Sequence, residues 1–222
     1  MAEVPPALTS EPASGRRISR EIQAEERRRQ LLDRMTKVFA KRGYRAATVT
    51  DLLAGAKIGM GAFYEEFEGK EDCFVAVYDR VLERAEAQLA AAMTEGGADD
   101  WTAQVSAGLA AVIRFVAEDP LAAKVVLLEA QTGGPAALER HRKVVAEVAS
   151  FLARGRDEGA PGKRLPEDFE ESTASGLLWL LQTKVARGEI GDPDELHREM
   201  LKVVLEPFLG PARTKRAIEN TR

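Results

Sequence analysis

Between Gly43 and Phe74 the chain carries two helical patterns too short to stand alone. Thr48 sits as an N-cap with Asp51 three residues on, the spacing of a capping box. Val49, Leu52, Leu53 and Ala56 then fall at i, i+3, i+4 and i+7, a single apolar face. After a tight, Gly-containing turn, Phe63 and Phe67 recur four apart and pack back on that face, leaving Met60, Gly61, Ala62 and Tyr64 outside. Helices of two turns cost more to nucleate than they recover by themselves, so tertiary packing must hold them. A short helix, a turn and a second short helix with a free outer face make a helix-turn-helix, the arrangement that offers its second helix to the DNA major groove.

The same stretch resembles the DNA-binding domain of TetR-type (tetracycline-repressor-like) transcriptional regulators. It shares that family's Phe-Tyr-x-x-Phe run, followed by a Lys that opens the next helix, as Phe63, Tyr64, Phe67 and Lys70. Thr48 matches the Thr that usually opens the first motif helix. Where the family favours Gly, Val and Ser across the turn and then a basic residue, this chain has Lys57, Ile58, Gly59 and Met60; Glu66 replaces a frequent His or Tyr. The resemblance implies an all-α fold with a three-helix N-terminal helix-turn-helix DNA-binding head and a roughly six-helix ligand-binding and dimerisation body. It implies operator DNA, a small apolar or amphipathic effector and a second copy of the chain as partners, with no cofactor. Thr48, Tyr64 and Lys70 are, by resemblance, the contacts to the DNA backbone.

The residues support the class independently. Ala and Leu dominate and strict apolar alternation is missing, so the pattern is helical throughout. A single cysteine, Cys73, excludes a disulfide framework and reads as a small buried filler. No run of about 18 apolar residues spans a membrane, and the N-terminus lacks the apolar segment of a signal peptide; the expectation is a cytoplasmic protein. The net charge of −4 does not itself point to nucleic acid, but its distribution does. Residues 16–45 hold eleven Lys and Arg against four acids, a basic block on an acidic remainder.

Along the chain, residues 1–17 read as a disordered tail rich in Pro, Ser and Ala. Helix one is expected from Ser19 to Lys41, ended by Gly43. The head is expected to span 18–70 and the body 71–210. A long helix follows from Glu71 to Ala92, ended by Gly96-Gly97. Further helices are expected from Asp99 or Asp100 to Asp119, Leu121 to Gln131, Pro135 to Arg156, Pro166 to Arg187, and from the Asp192-Pro193 start through Phe208. Residues 211–222 read as a polar tail. The last two long helices carry apolar stripes that include Leu177 and Val204, and are expected to pair across a homodimer.

For DNA, the candidates are Thr48, Thr50, Lys57, Met60, Gly61, Ala62, Tyr64 and Lys70. Hydroxyls and cations suit phosphate oxygens, Thr50 and Lys57 are polar candidates for base edges, and Ala62 suits a thymine methyl. Glu65 and Glu66 must face away from phosphates or accept from cytosine. For an effector the candidates are Tyr78, Leu89, Trp101, Phe115, Gln131, Thr173 and Trp179, aromatic and apolar groups with sparse polar ones. His141 and His197 have no metal-ligand spacing around them, no nucleophile motif occurs, and Gly59-Met60-Gly61 lacks the third Gly and the preceding strand of a dinucleotide site. A helical enzyme is thereby disfavoured. A helical small-molecule-binding module without specific DNA binding stays open beside the regulator.

Overall fold

Gly43 marks where the head begins to fold back. Its φ of +74° closes the first helix, a conformation glycine adopts without steric cost. In the structure, a computed structural model that describes residues 13–95 and 100–220, the described residues form ten α-helices and no strand. Helix α1 runs Ala13–Arg42, α2 Val49–Ala56, α3 Met60–Glu66 and α4 Lys70–Glu95. The body continues with α5 Trp101–Glu118, α6 Pro120–Lys124, α7 Pro135–Ala153, α8 Phe169–Arg187, α9 Pro193–Leu209 and α10 Pro211–Asn220. A π-helical turn, Val125–Glu129, continues α6 directly.

Three expectations change. Helix α1 begins at Ala13, so helix replaces the end of the expected N-terminal tail; residues 1–12 lie outside the described residues, as do Gly96, Gly97 and Asp99. The expected helix Leu121–Gln131 is split into α6 and the π turn. The polar tail after Pro211 is largely helical: proline is well suited to the first position of a helix, and Thr214, Ala217 and Ile218 face inward, with Thr214 2% exposed. Elsewhere the caps are as expected. Asp100 accepts from the Ala103 N–H at 2.8 Å, and Asp192 from the Asp194 N–H at 2.8 Å.

Two apolar cores meet along α4. The first gathers Leu32, Met35 and Phe39 of α1, Leu52 and Ala56 of α2, Phe63 and Phe67, and Phe74, Val77 and Tyr78 of α4. It also takes in Val125, Ala130 and Ala137, so the head's interior is completed by the π turn and α7. The second is built from Trp101, Val105 and Ile113 of α5, Leu177 and Leu181 of α8, Met200, Val204, Leu205 and Phe208 of α9, and Val81 of α4. Gly133 lies so close to the Phe74 ring that a Cβ there would stand 2.1 Å from it. Ion pairs tie α4 to its surroundings, Arg84 to Asp119 at 2.6 Å and Arg140 to Asp79 at 2.5 Å.

Leu177 and Val204 are 8% and 0% exposed, so both belong to the chain's own core rather than to an outer face. Helical periodicity found the inward stripe of α8 and α9. The apolar groups left outside are Trp179, 65% exposed, and Val203, 59% exposed.

Candidate nucleic-acid interface and effector cleft

The helix-turn-helix is closed by its own caps. Thr48 accepts from the Asp51 N–H at 3.2 Å while Asp51 accepts from the Thr48 N–H at 3.0 Å, a complete capping box. The Thr48 hydroxyl and N–H hold the Asp51 carboxyl below the usual carboxylate range. Leu52, Ala56 and Phe63 are fully buried and Phe67 2% exposed, as their spacing predicts. The turn bends at Lys57, whose φ of +59° is left-handed; for a residue with a Cβ this conformation costs roughly 1–2 kcal/mol. Gly59 is not the residue that needs a positive φ.

This packing leaves one face of α3 open. Met60 is 51% and Tyr64 55% exposed, and Gly61, Ala62, Thr48, Thr50 and Lys57 are exposed with them. No Cβ neighbour lies within 4 Å of Gly61, so a backbone can approach there. The Tyr64 ring meets Phe63 edge-on, with centroids 5.3 Å apart, and the residue is still 55% exposed. Glu66 pairs with Arg28 of α1 at 2.5 Å, which offsets one of the two carboxylates of α3, while Glu65 is exposed. Arg42 pairs with Asp51 at 3.2 Å, and Arg34 donates to the Ala56 carbonyl at 3.2 Å. Part of the basic block therefore holds the motif in place.

Lys70 lies apart from the other candidates. Its ammonium donates to the carbonyls of Tyr44 and Ala47 at 3.0 Å and reaches that of Arg45 at 3.5 Å, with the Tyr44 ring 4.5 Å away. An ammonium has three donors, and the α1–α2 loop engages them. Lys70 thus acts as a clamp on the loop that carries Thr48. The other side of that loop is held from the body: Glu129, at the end of the π turn, accepts from the Tyr44 N–H at 2.7 Å. Neither tie was visible in the sequence, because each joins a side chain to backbone groups far along the chain.

The effector candidates do not converge. Tyr78 is buried in the head core, where burial pushes its phenol well above the usual value. Trp101 and Phe115 fill the body core, and the Trp101 indole donates to the Phe151 carbonyl at 3.2 Å. Leu89 packs at Gly108, and the Thr173 hydroxyl donates to the Phe169 carbonyl at 2.9 Å. Only Gln131 and Trp179 meet. They line an open cleft of about 390 Å³ between the π turn, α7 and α8, with Leu127, Val145 and Leu178 as apolar wall. His141, Arg142, Ser175 and Gln182 are its polar groups, and Glu171 adds a carboxylate. Burial lowers the His141 pKa, favouring its neutral form. Cys73 is buried beside the Met35 sulfur at 3.3 Å, and burial pushes its thiol up to about 12, so it is no reactive group. Among the described residues no group of His, Cys, Asp and Glu could hold a metal, and no helix is long and apolar enough to cross a membrane.

Known proteins agree with this geometry. Residues 31–77 match the family described as bacterial regulatory proteins, tetR family. The chain is 24% identical over 184 residues to the uncharacterized HTH-type transcriptional regulator YhgD of Bacillus subtilis (strain 168), covering 83% of this chain and 95% of that protein. Its fold is shared by the fatty acid degradation regulator FadR from Bacillus halodurans, with a TM-score of 0.68 at 21% identity, covering 79% of this chain and 93% of that one. The transcriptional regulator FadR from Bacillus subtilis, solved in complex with stearoyl-CoA, superposes with a TM-score of 0.67 at 17% identity over 80% of this chain and 97% of that one. The tetR-family match thus covers the head, residues 31–77, while the solved structures share the fold of head and helical body together.

Proposed function

We propose that the protein is a ligand-responsive repressor that binds operator DNA as a homodimer. The observation that carries this reading is the clamped loop and open face of the head. The α3 surface of Met60, Gly61, Ala62 and Tyr64 is exposed, while Leu52, Ala56, Phe63 and Phe67 behind it are buried. A docking helix needs that combination, since groove contacts require a rigid pose. In this reading Tyr64 meets phosphate, Thr50 and Lys57 reach base edges, Lys70 acts by holding the loop, and Thr48, whose hydroxyl and N–H both donate to Asp51, acts as the cap of α2.

The dimer is assigned to α8 and α9. Trp179 and Val203 are large exposed apolar groups, and Gly176, one turn before Trp179, has open space over its Cα. Aromatic anchors beside small residues suit a self-complementary interface.

The effector is assigned to the cleft at Leu127, Gln131 and Trp179, as a small amphipathic molecule with its apolar part on Val145, Leu178 and Trp179. Leu127 and Gln131 flank Glu129, whose carboxylate holds Tyr44. A ligand that shifts this segment moves the loop bearing Thr48, so the coupling passes through the π turn rather than along α4 alone. A coupling of about 1–3 kcal/mol suffices for such a response.

The test is an anisotropy titration of duplex DNA from the region upstream of the protein's own gene, against a shuffled duplex of equal length. The proposal expects saturable binding that prefers the upstream duplex by at least 100-fold. Equal affinity for both duplexes would leave a helical small-molecule-binding module instead. Because the B. subtilis FadR was solved with stearoyl-CoA, long-chain acyl-CoA is the first effector probe to add.

A further inference from the structure

The floor and the rim of the cleft between the π turn, α7 and α8 differ in charge. Leu127 is buried, and His141, Val145, Leu178 and Gln182 are half-buried; these side chains make the floor. Gln131, Arg142, Glu171, Ser175 and Trp179 are exposed and make the rim. Both charged groups of the lining therefore stand at the rim, one of each sign. The Arg142 side chain is 68% exposed and lies 3.8 Å from the Glu139 carboxylate, one turn before it. Two solvated charges of opposite sign select neither an anion nor a cation strongly.

The floor holds no formal charge. Burial lowers the pKa of His141 and keeps its imidazole neutral at pH 7, with one donor and one acceptor. The Gln182 amide adds donors and an acceptor. Neither side chain has a hydrogen-bond partner among the described residues. Half-buried polar groups give up part of their hydration, and a ligand group that pairs with them restores what was lost. A carboxylate, phosphate or ammonium pushed to this floor would lose its water and meet no opposite charge. A hydroxyl or carbonyl would meet both a donor and an acceptor. The volume of about 390 Å³ stands near the low end of the roughly 300–1,000 Å³ usual for ligand sites, so the occupant is compact.

We propose that the effector of this cleft is a compact, uncharged ring compound bearing a hydroxyl or carbonyl group, of which a phenol is the simplest case. That group sits on His141 and Gln182, and the ring lies against Val145, Leu178 and Trp179. This rests on the assignment of the cleft as the effector site and deepens it by naming the chemistry that fits. The indole of Trp179 favours a flat ring, because aromatic pairs gain beyond the area they bury. A long acyl chain joined to a nucleotide fits poorly on both counts, size and charge.

The test is calorimetric titration of the full chain at pH 7 with four probes: 2-naphthol, 2-naphthoate, 2-naphthylmethylammonium and stearoyl-CoA. The first three share one ring system and differ in charge. The expected result is that 2-naphthol binds roughly tenfold tighter than either charged analogue, since an ion gains no partner on the floor. H141F/Q182L keeps the volume and removes the polar pair. It should match wild type in melting temperature, because no bond within the chain is lost, and bind 2-naphthol roughly tenfold more weakly. V145W fills the cleft and should bind none of the probes. Tighter binding of 2-naphthoate, 2-naphthylmethylammonium or stearoyl-CoA, lost in V145W, would overturn the proposed class and leave the cleft as the effector site. Unchanged 2-naphthol affinity in H141F/Q182L would overturn it as well. Binding that V145W leaves intact, or no binding by any probe, would instead overturn the cleft reading on which the proposal rests.

Discussion

The head and the outer face of α8 and α9 solve opposite problems. In the head, α2 and α3 are too short to be stable alone, and they are tied by a capping box at Thr48, three carbonyls on Lys70, Arg28 on Glu66, and Glu129 reaching from the body. Helices α8 and α9 are 19 and 17 residues long with a buried stripe each, and they leave Trp179 and Val203 in water. The first region is over-determined because it must hold a pose. The second leaves large apolar groups in water, and in the proposed homodimer it is the face a second copy would cover.

The largest effect should come from that incomplete face. Trp179→Glu places a charge where a dimer would bury it, and an unpaired buried charge costs about 3–5 kcal/mol. Sedimentation should show monomers, and operator affinity should fall by at least 100-fold while the fold is kept. An intact dimer would move the interface off α8. Leu177→Glu, by contrast, should unfold the body, because Leu177 is core.

Next in size is the clamp. Lys70→Ala removes bonds to two or three carbonyls of the α1–α2 loop, each contributing about 0.5–1.5 kcal/mol. The head should lose about 2 kcal/mol of stability, read by hydrogen exchange in residues 44–56. The salt slope of DNA binding should stay nearly constant. A slope lowered by one unit with unchanged head stability would return Lys70 to direct phosphate contact. A smaller effect belongs to Tyr64→Phe. Tyr64 is 55% exposed, so stability should hold, and operator affinity should weaken by about 1 kcal/mol. Unchanged affinity would make the ring a packing group only.

How much of this was legible differs between the same two regions. The α2 face of Leu52 and Ala56 and the Phe63–Phe67 pair were readable because local periodicity alone fixes them. The starts at Asp100 and Asp192-Pro193 were readable because a cap is a local signal. Helix α10 was missed because Pro211 reads as a breaker, although at a first helical position it is a starter. The π turn leaves no mark in an apolar run, since it changes the hydrogen-bond register and not the pattern. The cleft was mostly hidden for the same reason that Leu177 was misplaced: apolar stripes do not say which of two faces a neighbouring helix covers. Gln131 and Trp179, chosen by their chemistry, line the cleft, whereas Tyr78, Trp101 and Phe115, equally plausible by type, are core.

In the proposed coupling, the body sets the pose of the head through the Glu129 carboxylate on the Tyr44 N–H. Glu129→Ala removes that bond and leaves the exposed face of α3 untouched. Its most direct test is the ratio of affinities for the upstream duplex and a shuffled duplex, measured by anisotropy for wild type and variant at one salt concentration. The expected result is about a tenfold fall in that ratio, the equivalent of roughly 1.4 kcal/mol, with binding to the shuffled duplex retained. A ratio equal to wild type, in a variant shown by hydrogen exchange to have lost protection at Tyr44, would contradict it.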